Sequence, residues 1–377
     1  MSIVKLPCCI VRGGTSKGVF IDECKLPKAQ QERDELIISL FGSPDIRQID
    51  GLGGADPLTS KLAIVSKSNC KEYDVEFLAA EVAINEANVN YGIMCGNTAS
   101  GVGCFAIEQG LVKVESPCTN IKIFCRNNNK MIYAKIPVVG GLPQYEGDYV
   151  INGVPGSGAV TELDFRDPAG AITGSLLPTS NPIDRVDIEG QEIEYSLVDS
   201  GTLYAFINSR ELDVSGYEKP DELDNNAIFR NKIEMLREKI AENLKSHIKD
   251  PNVKIFPKRI KIAIVSKPGE YETHQGLVIN EEQSNVVARI INPLKTHKAF
   301  AVSGAICLAS ASIAQGTIVN QIYNPPLSPA KVNIGHPSGI IDVKITYDID
   351  KGINRILGAE VKRTARILMN GTAYVKV

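Results

Sequence analysis

Residues 92–110 read GIMCGNTASGVGCFAIEQG and predict a helix that is buried on every side. No residue from 98 to 107 carries a charge, and most of them are small. A helix without a polar face must be buried, and small side chains let a surrounding sheet approach its axis. The stretch therefore predicts a central helix enclosed by a sheet, with Gly96 and Asn97 as N-cap residue types at its start.

Cys95 is the candidate reactive residue because it directly precedes this helix. The unpaired N–H groups and the dipole at a helix N-terminus favour an anion, so they favour a thiolate over a thiol. A thiolate at this position can act as a base or as a nucleophile. The alternative is a buried structural cysteine, which is the usual role of a free thiol. The glycines that would let a ligand approach the backbone favour the functional role.

The chain repeats itself once at a long interval. KLAIVSKS at residues 61–68 reappears as KIAIVSKP at 261–268, and the helical stretch reappears as SGAICLASASIAQG at 303–316. Aligning the two helical stretches on their final glycines places Ala301 opposite Cys95. A single repeat of this length predicts two related domains rather than a solenoid of short units.

We expect the domain boundary near residue 188. The first domain then spans residues 1–188 and contains Lys61 and Cys95, and the second spans residues 189–377. We also expect that the C-terminus of the chain can pack back on the first domain.

Composition narrows the class of function. The formal net charge of −3 argues against nucleic acid as a partner. No apolar run approaches the roughly 18 residues that span a bilayer, so we expect no membrane partner. Nine cysteines without disulfide-framework spacing predict a cytoplasmic protein. The four histidines lack metal-ligand spacing, and we expect neither a metal nor a cofactor.

Two further segments carry candidate site residues. The turn RGGTSKG at residues 12–18 offers side-chain and backbone donors for a carboxylate, although a solvated hairpin turn explains it equally well. Lys61 follows a glycine-rich loop and opens the apolar strand 62–65. It is either a site residue or a charge that protects a strand edge. As a site residue we expect a desolvated amine with a lowered pKa, coupled to the Cys95 thiolate, which would oppose that shift.

Four motifs taken together resemble the PrpF family. They are RGGTSKG at 12–18, GLGGADPLTSK at 51–61, CGN at 95–97 and GHPSG at 335–339. The resemblance covers essentially the whole chain. It implies an α+β, diaminopimelate epimerase-like fold, in which two pseudo-repeated domains each wrap a curved, mostly antiparallel sheet around a central helix. In that fold the active site lies between the two helix N-termini.

The same resemblance implies a reaction. The family contains 2-methylaconitate cis–trans isomerases, methylitaconate Δ-isomerases and 4-oxalomesaconate tautomerases. Epimerases of this fold use two cysteines, but here the second position is Ala301. Counterparts of Lys61 and Cys95 pair in PrpF-like proteins, which implies that these two are the catalytic residues of an allylic 1,3-proton shift. The loop GADPLTSK resembles methylitaconate isomerases most, so 3-methylitaconate is the first candidate substrate, ahead of 2-methylaconitate and 4-oxalomesaconate.

We expect the substrate to be a small unsaturated polycarboxylate. Its binding site is expected from the helix-end amides, the polar residues of the motifs and the family resemblance. We also expect the protein to form a homo-oligomer. The candidate substrate-binding residues are Arg12, Thr15, Ser16, Lys17, Thr59, Ser60, Gly96, Asn97, Thr98, Lys298, Ser303, Gly304, Ala305 and His336.

Two other classes of function stay open at this point. Cys95 with His297 or His336 could form a cysteine hydrolase or acyltransferase, provided that a histidine lies within hydrogen-bond reach of the thiol. The chain could also be a non-catalytic module that binds dicarboxylates. The combination of Lys61 and Cys95 argues against passive binding, because arginines and backbone amides suffice for that task.

Overall fold

A computed structural model describes residues 2–92, 94–248, 250, 253–325, 327–350 and 353–377. The chain divides into two compact units. The first comprises Met1–Phe165 and Lys362–Val377, and the second comprises Arg166–Val361. The division differs from the expected boundary near residue 188, which falls inside the second unit.

The first unit is built from two helices and a mostly antiparallel sheet. Its helices are α1 (Gln30–Phe41) and α2 (Gly96–Glu108). Its strands are β1 (Ile3–Gly13), β2 (Ser16–Asp22), β3 (Lys61–Lys67), β4 (Val75–Val82), β5 (Val89–Asn90), β6 (Cys118–Cys125), β7 (Lys130–Val139), β8 (Leu142–Pro143), β9 (Tyr149–Val150), β10 (Ser157–Gly158), β11 (Thr161–Arg166) and β22 (Ala365–Lys376).

The second unit repeats this plan with additional helices. Its helices are α3 (Pro220–Asn225), α4 (Ala227–His247), α5 (Val302–Ile313) and α6 (Ile318–Ile322). Its strands are β12 (Asp184–Ile188), β13 (Gln191–Asp199), β14 (Leu203–Asn208), β15 (Lys261–Ser266), β16 (Tyr271–Glu272), β17 (Val278–Ile279), β18 (Val286–Ile291), β19 (Ala330–His336), β20 (Gly339–Asp350) and β21 (Ile353–Arg363).

The strand order shows that the two units share one sheet topology. The first unit pairs its main strands as β22-β1-β2-β3-β4-β6-β7-β11, with only β2–β3 and β4–β6 parallel. The second pairs β12-β13-β14-β15-β18-β19-β20-β21, with only β14–β15 and β18–β19 parallel. The parallel pairs occupy the same places in both orders, which agrees with the repeat seen in the sequence.

The same comparison explains the domain division. In the second unit the edge strand β12 directly precedes β13 and forms a hairpin with it. In the first unit the corresponding place beside β1 is filled by β22, which pairs with β1 antiparallel. Residues 362–377 therefore belong to the first unit, and residues 166–188 belong to the second.

Each unit encloses one helix, as the sequence predicts. Every residue from Gly96 to Ile107 of α2 is buried, as is every residue of α5. Helix α2 contacts β22 and β1 near one end of its sheet and β7 and β8 near the other, so the sheet curves around it. Helix α5 contacts β13, β14 and β20 in the same way.

The opposite face of each sheet is covered by a surface helix. In the first unit, α1 packs its apolar residues on Leu62 and Ile64 of β3 and on Ala80 and Val82 of β4. In the second unit, α4 covers its sheet in the same manner. Since side chains alternate along a strand, the odd-numbered residues of β3 and β4 face the enclosed helix α2. No helix in the described part of the chain is long and apolar enough to cross a membrane.

Candidate active site

Cys95 is itself the N-cap residue of α2. Its backbone is extended (φ −111°, ψ 104°), its carbonyl accepts the first intrahelical hydrogen bond from the Ala99 N–H at 2.9 Å, and its Sγ accepts from the Thr98 N–H at 3.5 Å. The sequence suggested Gly96 or Asn97 for this role. The observed N-cap is one residue before Gly96 and two before Asn97, and this places the half-buried cysteine at the N–H groups of the first turn.

The β1–β2 hairpin lies against this first turn. The Asn97 side-chain amide donates a hydrogen bond to the Thr15 hydroxyl at 3.0 Å. A Cβ atom on Gly13 or Gly14 would overlap Asn97, and Gly14 also has a positive φ of 51°. The glycines of the RGGTSKG motif therefore serve a close backbone approach, which brings Thr15 and Ser16 to the N-terminus of the helix.

Lys61 lies on the face of β3 that α2 covers. In the sheet it pairs with Gly18 of β2 on one side and with Glu81 of β4 on the other. Lys61 is only 5% exposed, and its ammonium group forms an ion pair with the Glu81 carboxylate. The side chain is thus buried and held, which is unlike a charge that protects a strand edge.

The expected lowering of the Lys61 pKa is wrong. Burial does lower it, but the negative charges of Glu81, Cys95 and Asp56 outweigh burial, and the pKa lies above the ordinary value for lysine. The expectation failed because Glu81 was not considered. Its carboxylate faces Lys61 only through the pairing of β3 with β4, and the sequence does not show that register.

Three buried polar atoms at this place have no hydrogen-bond partner among the described residues. They are the Ser16 Oγ, the Asn97 Oδ1 and the Thr98 Oγ1. Buried polar atoms are normally satisfied. The two hydroxyls can donate to a ligand that bears oxygen atoms, whereas the Asn97 Oδ1 can only accept. The N–H groups of Gly96 and Asn97 open the same helix and add donors with no intrahelical acceptor.

Other predicted binding residues hold the loops in place. The Arg12 guanidinium donates to the Thr364 carbonyl at 2.8 Å and to its hydroxyl at 3.0 Å. The Ser60 hydroxyl donates to the Val82 carbonyl at 2.8 Å and accepts from the Gln48 side chain at 2.9 Å. The Ser60 hydroxyl and the Arg12 Nη1 are thus hydrogen-bonded within the protein, and a role of these side chains in substrate binding stays a prediction.

Thr59 and Lys17 belong to the same loop assembly. The Thr59 hydroxyl donates to the Asp56 carbonyl at 3.2 Å, and the Lys17 N–H donates to the Leu58 carbonyl at 3.0 Å. Gln48 organises the loop but was missed from the sequence, since an isolated glutamine carries no distinguishing signal. It is 1% exposed, and its side chain also accepts from the Ala55 N–H at 2.8 Å.

The second helix N-terminus lies one residue earlier than predicted. Helix α5 has Ala301 as its N-cap, without a side-chain hydrogen bond. The Ala305 N–H donates to the Ala301 carbonyl at 2.9 Å and is not available to a ligand. The amides without an intrahelical acceptor are therefore those of Val302, Ser303 and Gly304, rather than the predicted set from 303 to 305.

Hydrogen bonds from backbone N–H groups fix the ring orientations of His336 and His297. The His336 Nδ1 accepts from the Ser338 N–H at 3.2 Å, and the His297 Nδ1 accepts from the Ala299 N–H at 3.1 Å. In the neutral rings, Nε2 then carries the proton. All four histidines lie in the second unit, whereas Cys95 lies in the first. The hydrolase hypothesis thus gains no histidine base from the unit that holds the thiol.

The remaining predicted residue, Lys298, is exposed, and its carbonyl accepts from the Ser338 hydroxyl at 2.6 Å. Among the described residues, no three His, Cys, Asp or Glu side chains gather closely enough to hold a metal ion.

Known proteins resemble this chain over its full length. The family model of the PrpF protein matches residues 3–376. The 3-methylitaconate isomerase of Eubacterium barkeri is 39% identical over 99% of this chain and 98% of its own length. The 2-methyl-aconitate isomerase of Shewanella oneidensis is 32% identical over 99% of this chain and 97% of its own.

Solved structures agree with the fold. A crystal structure of methylitaconate-delta-isomerase, 37% identical, superposes with a TM-score of 0.79 over 100% of this chain and 96% of that one. A hydroxyproline epimerase from Agrobacterium vitis, at 12% identity, gives a TM-score of 0.55 over 98% and 92% of the two chains. The latter likeness concerns the fold alone and confirms an epimerase-like architecture. The matches across the whole chain show that this protein belongs to the PrpF family and is an isomerase.

Proposed function

We propose that this isomerase moves a carbon–carbon double bond within a small unsaturated di- or tricarboxylate, without a cofactor. The first candidate reaction is 3-methylitaconate to 2,3-dimethylmaleate, because the relative with that substrate in its name is 39% identical. The alternatives are 2-methylaconitate cis–trans isomerisation and 4-oxalomesaconate tautomerisation. The observation that carries the proposal is a buried Lys61, ion-paired with Glu81, close to a cysteine at a helix N-cap.

The raised pKa of Lys61 supports an assignment of the two proton transfers in this proposal. An ammonium group cannot accept a proton, so the Cys95 thiolate is the base. It removes the proton from C3 of 3-methylitaconate, the carbon between the C=C bond and the C4 carboxylate. The electron pair spreads over the allyl system and the adjacent carboxylate, where positive charge stabilises it.

The Lys61 ammonium group then donates a proton to the former methylene carbon, which becomes a methyl group, and the double bond comes to lie between C2 and C3. One proton leaves the substrate and one arrives, so the reaction is redox-neutral. Transfer of the thiol proton to the Lys61 amine, directly or through solvent, restores both groups.

The first turn of α2 supplies the binding site for one substrate carboxylate in this proposal. The N–H groups of Gly96 and Asn97 and the hydroxyls of Ser16 and Thr98 are donors near the positive end of the helix dipole. The candidates in the second unit, among them Ser303, stay predictions.

Proton NMR in deuterated buffer tests the proposal. With 3-methylitaconate, the vinyl signals should decay while a new methyl group appears that carries one deuterium, because the Lys61 ammonium exchanges with solvent before it donates. The Cys95→Ala variant should slow conversion by about 10²–10⁴-fold. Faster conversion of 2-methylaconitate or 4-oxalomesaconate would reassign the substrate. A binding module would leave the proton NMR signals of all three compounds unchanged, and this result would refute the proposal.

We also propose that the protein works as a homo-oligomer in the cytoplasm. Support for the compartment comes from the nine cysteines, all of which are free thiols, since free thiols persist in a reducing compartment. Light scattering on the purified protein measures the assembly, and a monomeric mass at micromolar concentration would contradict it.

A further inference from the structure

We propose that Glu81 is a positioning residue that holds Lys61 as an ammonium ion in the orientation needed for proton donation. This rests on the proposed function, because it concerns the role of Lys61 in that reaction. Glu81 is not among the residues that the sequence motifs single out.

The geometry of the sheet carries the inference. Lys61 and Glu81 are directly paired residues of β3 and β4, and both side chains lie on the face that α2 covers. The side chain of Lys61 is 7% exposed, whereas that of Glu81 is 32% exposed. The amine is therefore the deeper member of the pair, and the carboxylate approaches it from the open side.

Burial of an isolated ammonium would release its proton, so the charge needs a compensating partner. Three negative groups face Lys61: Glu81 from β4, Cys95 from the helix N-cap and Asp56 from the loop before β3. Among them, Glu81 has the largest effect on the pKa of Lys61, and it alone also hydrogen-bonds the amine. The Cys95 charge is consumed when the thiolate takes the substrate proton, so Glu81 and the weaker Asp56 persist through the reaction, and Glu81 is the one in contact with the amine.

The decisive variant is Glu81→Gln. Glutamine keeps the shape and the hydrogen-bond acceptor but removes the charge, so the pKa of Lys61 should fall. The alkaline limb of kcat/KM reports the proton donor of the free enzyme, and this limb should move to lower pH. Turnover at pH 8 should fall by about 10-fold or more, within the about 10²–10⁴-fold range of a lost proton donor. KM should change little, because the proposed role of Glu81 is exerted on the charge and orientation of Lys61.

Glu76→Gln is the matched control. Glu76 lies on the same strand with a similarly exposed side chain, 30%, and its carboxylate pairs with Arg126 at 3.6 Å instead of Lys61. This control should keep the wild-type pH profile and turnover. Glu81→Asp keeps the charge on a shorter side chain, so it should retain the alkaline limb of the wild type with a reduced kcat.

The outcomes separate this inference from the proposed function. A folded Glu81→Gln enzyme with the alkaline limb of the wild type would overturn the role of Glu81 and leave the isomerase reaction intact. A wild-type enzyme that converts none of the three candidate substrates would refute the proposed function instead. If Glu81→Gln does not fold, Glu81→Asp decides: an alkaline limb that moves to lower pH despite the retained charge would overturn the inference.

Discussion

The two central helices share one architecture but differ at the positions that matter for chemistry. Helix α2 has Cys95 as its N-cap, and helix α5 has Ala301. Lys61 opens β3 and is 5% exposed, whereas its repeat partner Lys261 opens β15 and is half-buried. The two units thus agree in strand order and in the enclosed helix, and they differ in the residue at the start of that helix.

The divergence extends to the partner of the lysine. In β3–β4, Glu81 lies opposite Lys61. In β15–β18, Ile262 pairs with Ile291, and continuing that register by one residue places Asn292 opposite Lys261. An uncharged asparagine stands where the first copy has a carboxylate. The first copy therefore differs from the second by a thiol at the helix N-cap and by a carboxylate at the position opposite the lysine.

The largest expected effect is the difference in turnover between alanine variants of Lys61 and of its repeat partner Lys261. Lys61→Ala should reduce turnover by about 10²–10⁴-fold because it removes the proton donor, while Lys261→Ala should stay close to the wild type. The Lys61→Ala/Cys95→Ala double variant should be little worse than either single variant, because residues that act as a unit are not additive. Steady-state kinetics on the preferred substrate measures all of these.

Two results would break the comparison between the lysines. One is near-normal activity of Lys61→Ala. The other is a collapse of activity in Lys261→Ala while its circular dichroism and unfolding temperature stay those of the wild type.

A smaller effect concerns a feature that both copies share, namely close packing of the central helix on an aromatic ring. A Cβ on Gly101 would lie 2.9 Å from the ring of Phe20, and one on Gly304 would lie 2.7 Å from the Tyr204 hydroxyl. Alanine gains about 1 kcal/mol of helix propensity but overpacking costs about 1–3 kcal/mol. We expect each alanine variant to lose about 1–2 kcal/mol in urea unfolding. Gly103→Ala, which meets the flexible end of an isoleucine, should lose less. Equal stabilisation of all three would contradict this packing.

The smallest expected effect is on the free energy of unfolding at alkaline pH, and it comes from Cys104, a thiol buried in the same helix that has Cys95 as its N-cap. Burial raises the pKa of Cys104 in α2 to about 12. Because the folded-state pKa exceeds the unfolded one, the stability linked to this thiol is present in full below about pH 8 and is lost as pH rises through 9 toward 12. Between pH 8 and 9.5, the wild type should lose about 1 kcal/mol more unfolding free energy than Cys104→Ala.

Urea titrations at the two pH values measure the Cys104 effect. Cys70→Ala, which removes an exposed thiol, is the control and should follow the wild type. An identical pH dependence in Cys104→Ala and the wild type would show that Cys104 ionises equally in both states.

Several features of the fold could be predicted because they depend on local composition. The uncharged run of small residues predicts an enclosed helix at 98–107, and α2 spans Gly96–Glu108. The repeated strand and helix stretches predict two related units, and the strand orders agree with that. The glycines of residues 12–18 predict a turn, and the tip of the β1–β2 hairpin lies there. Each of these patterns acts within a few residues, so a single sequence displays it.

Other features depend on residues that are far apart in the chain. The division of the chain follows from β22 pairing with β1, which joins the two ends of the sequence. The N-cap depends on where the backbone leaves its extended conformation, and this makes Cys95 the N-cap, one residue before Gly96. The occupied side chains of Arg12 and Ser60 likewise depend on contacts with distant segments.

The sequence by itself determined the repeat, the enclosed helix, the cysteine before it and the lysine that opens a buried strand. Only the tertiary structure decided the charge state of that lysine. Lys61 and Glu81 are twenty positions apart, and the register of an antiparallel pair sets whether two such residues face each other. Burial alone lowers the pKa of the amine, and the carboxylate across the sheet is the largest of the influences that raise it above the ordinary value. The sign of the shift is therefore a property of strand pairing, which no local pattern encodes.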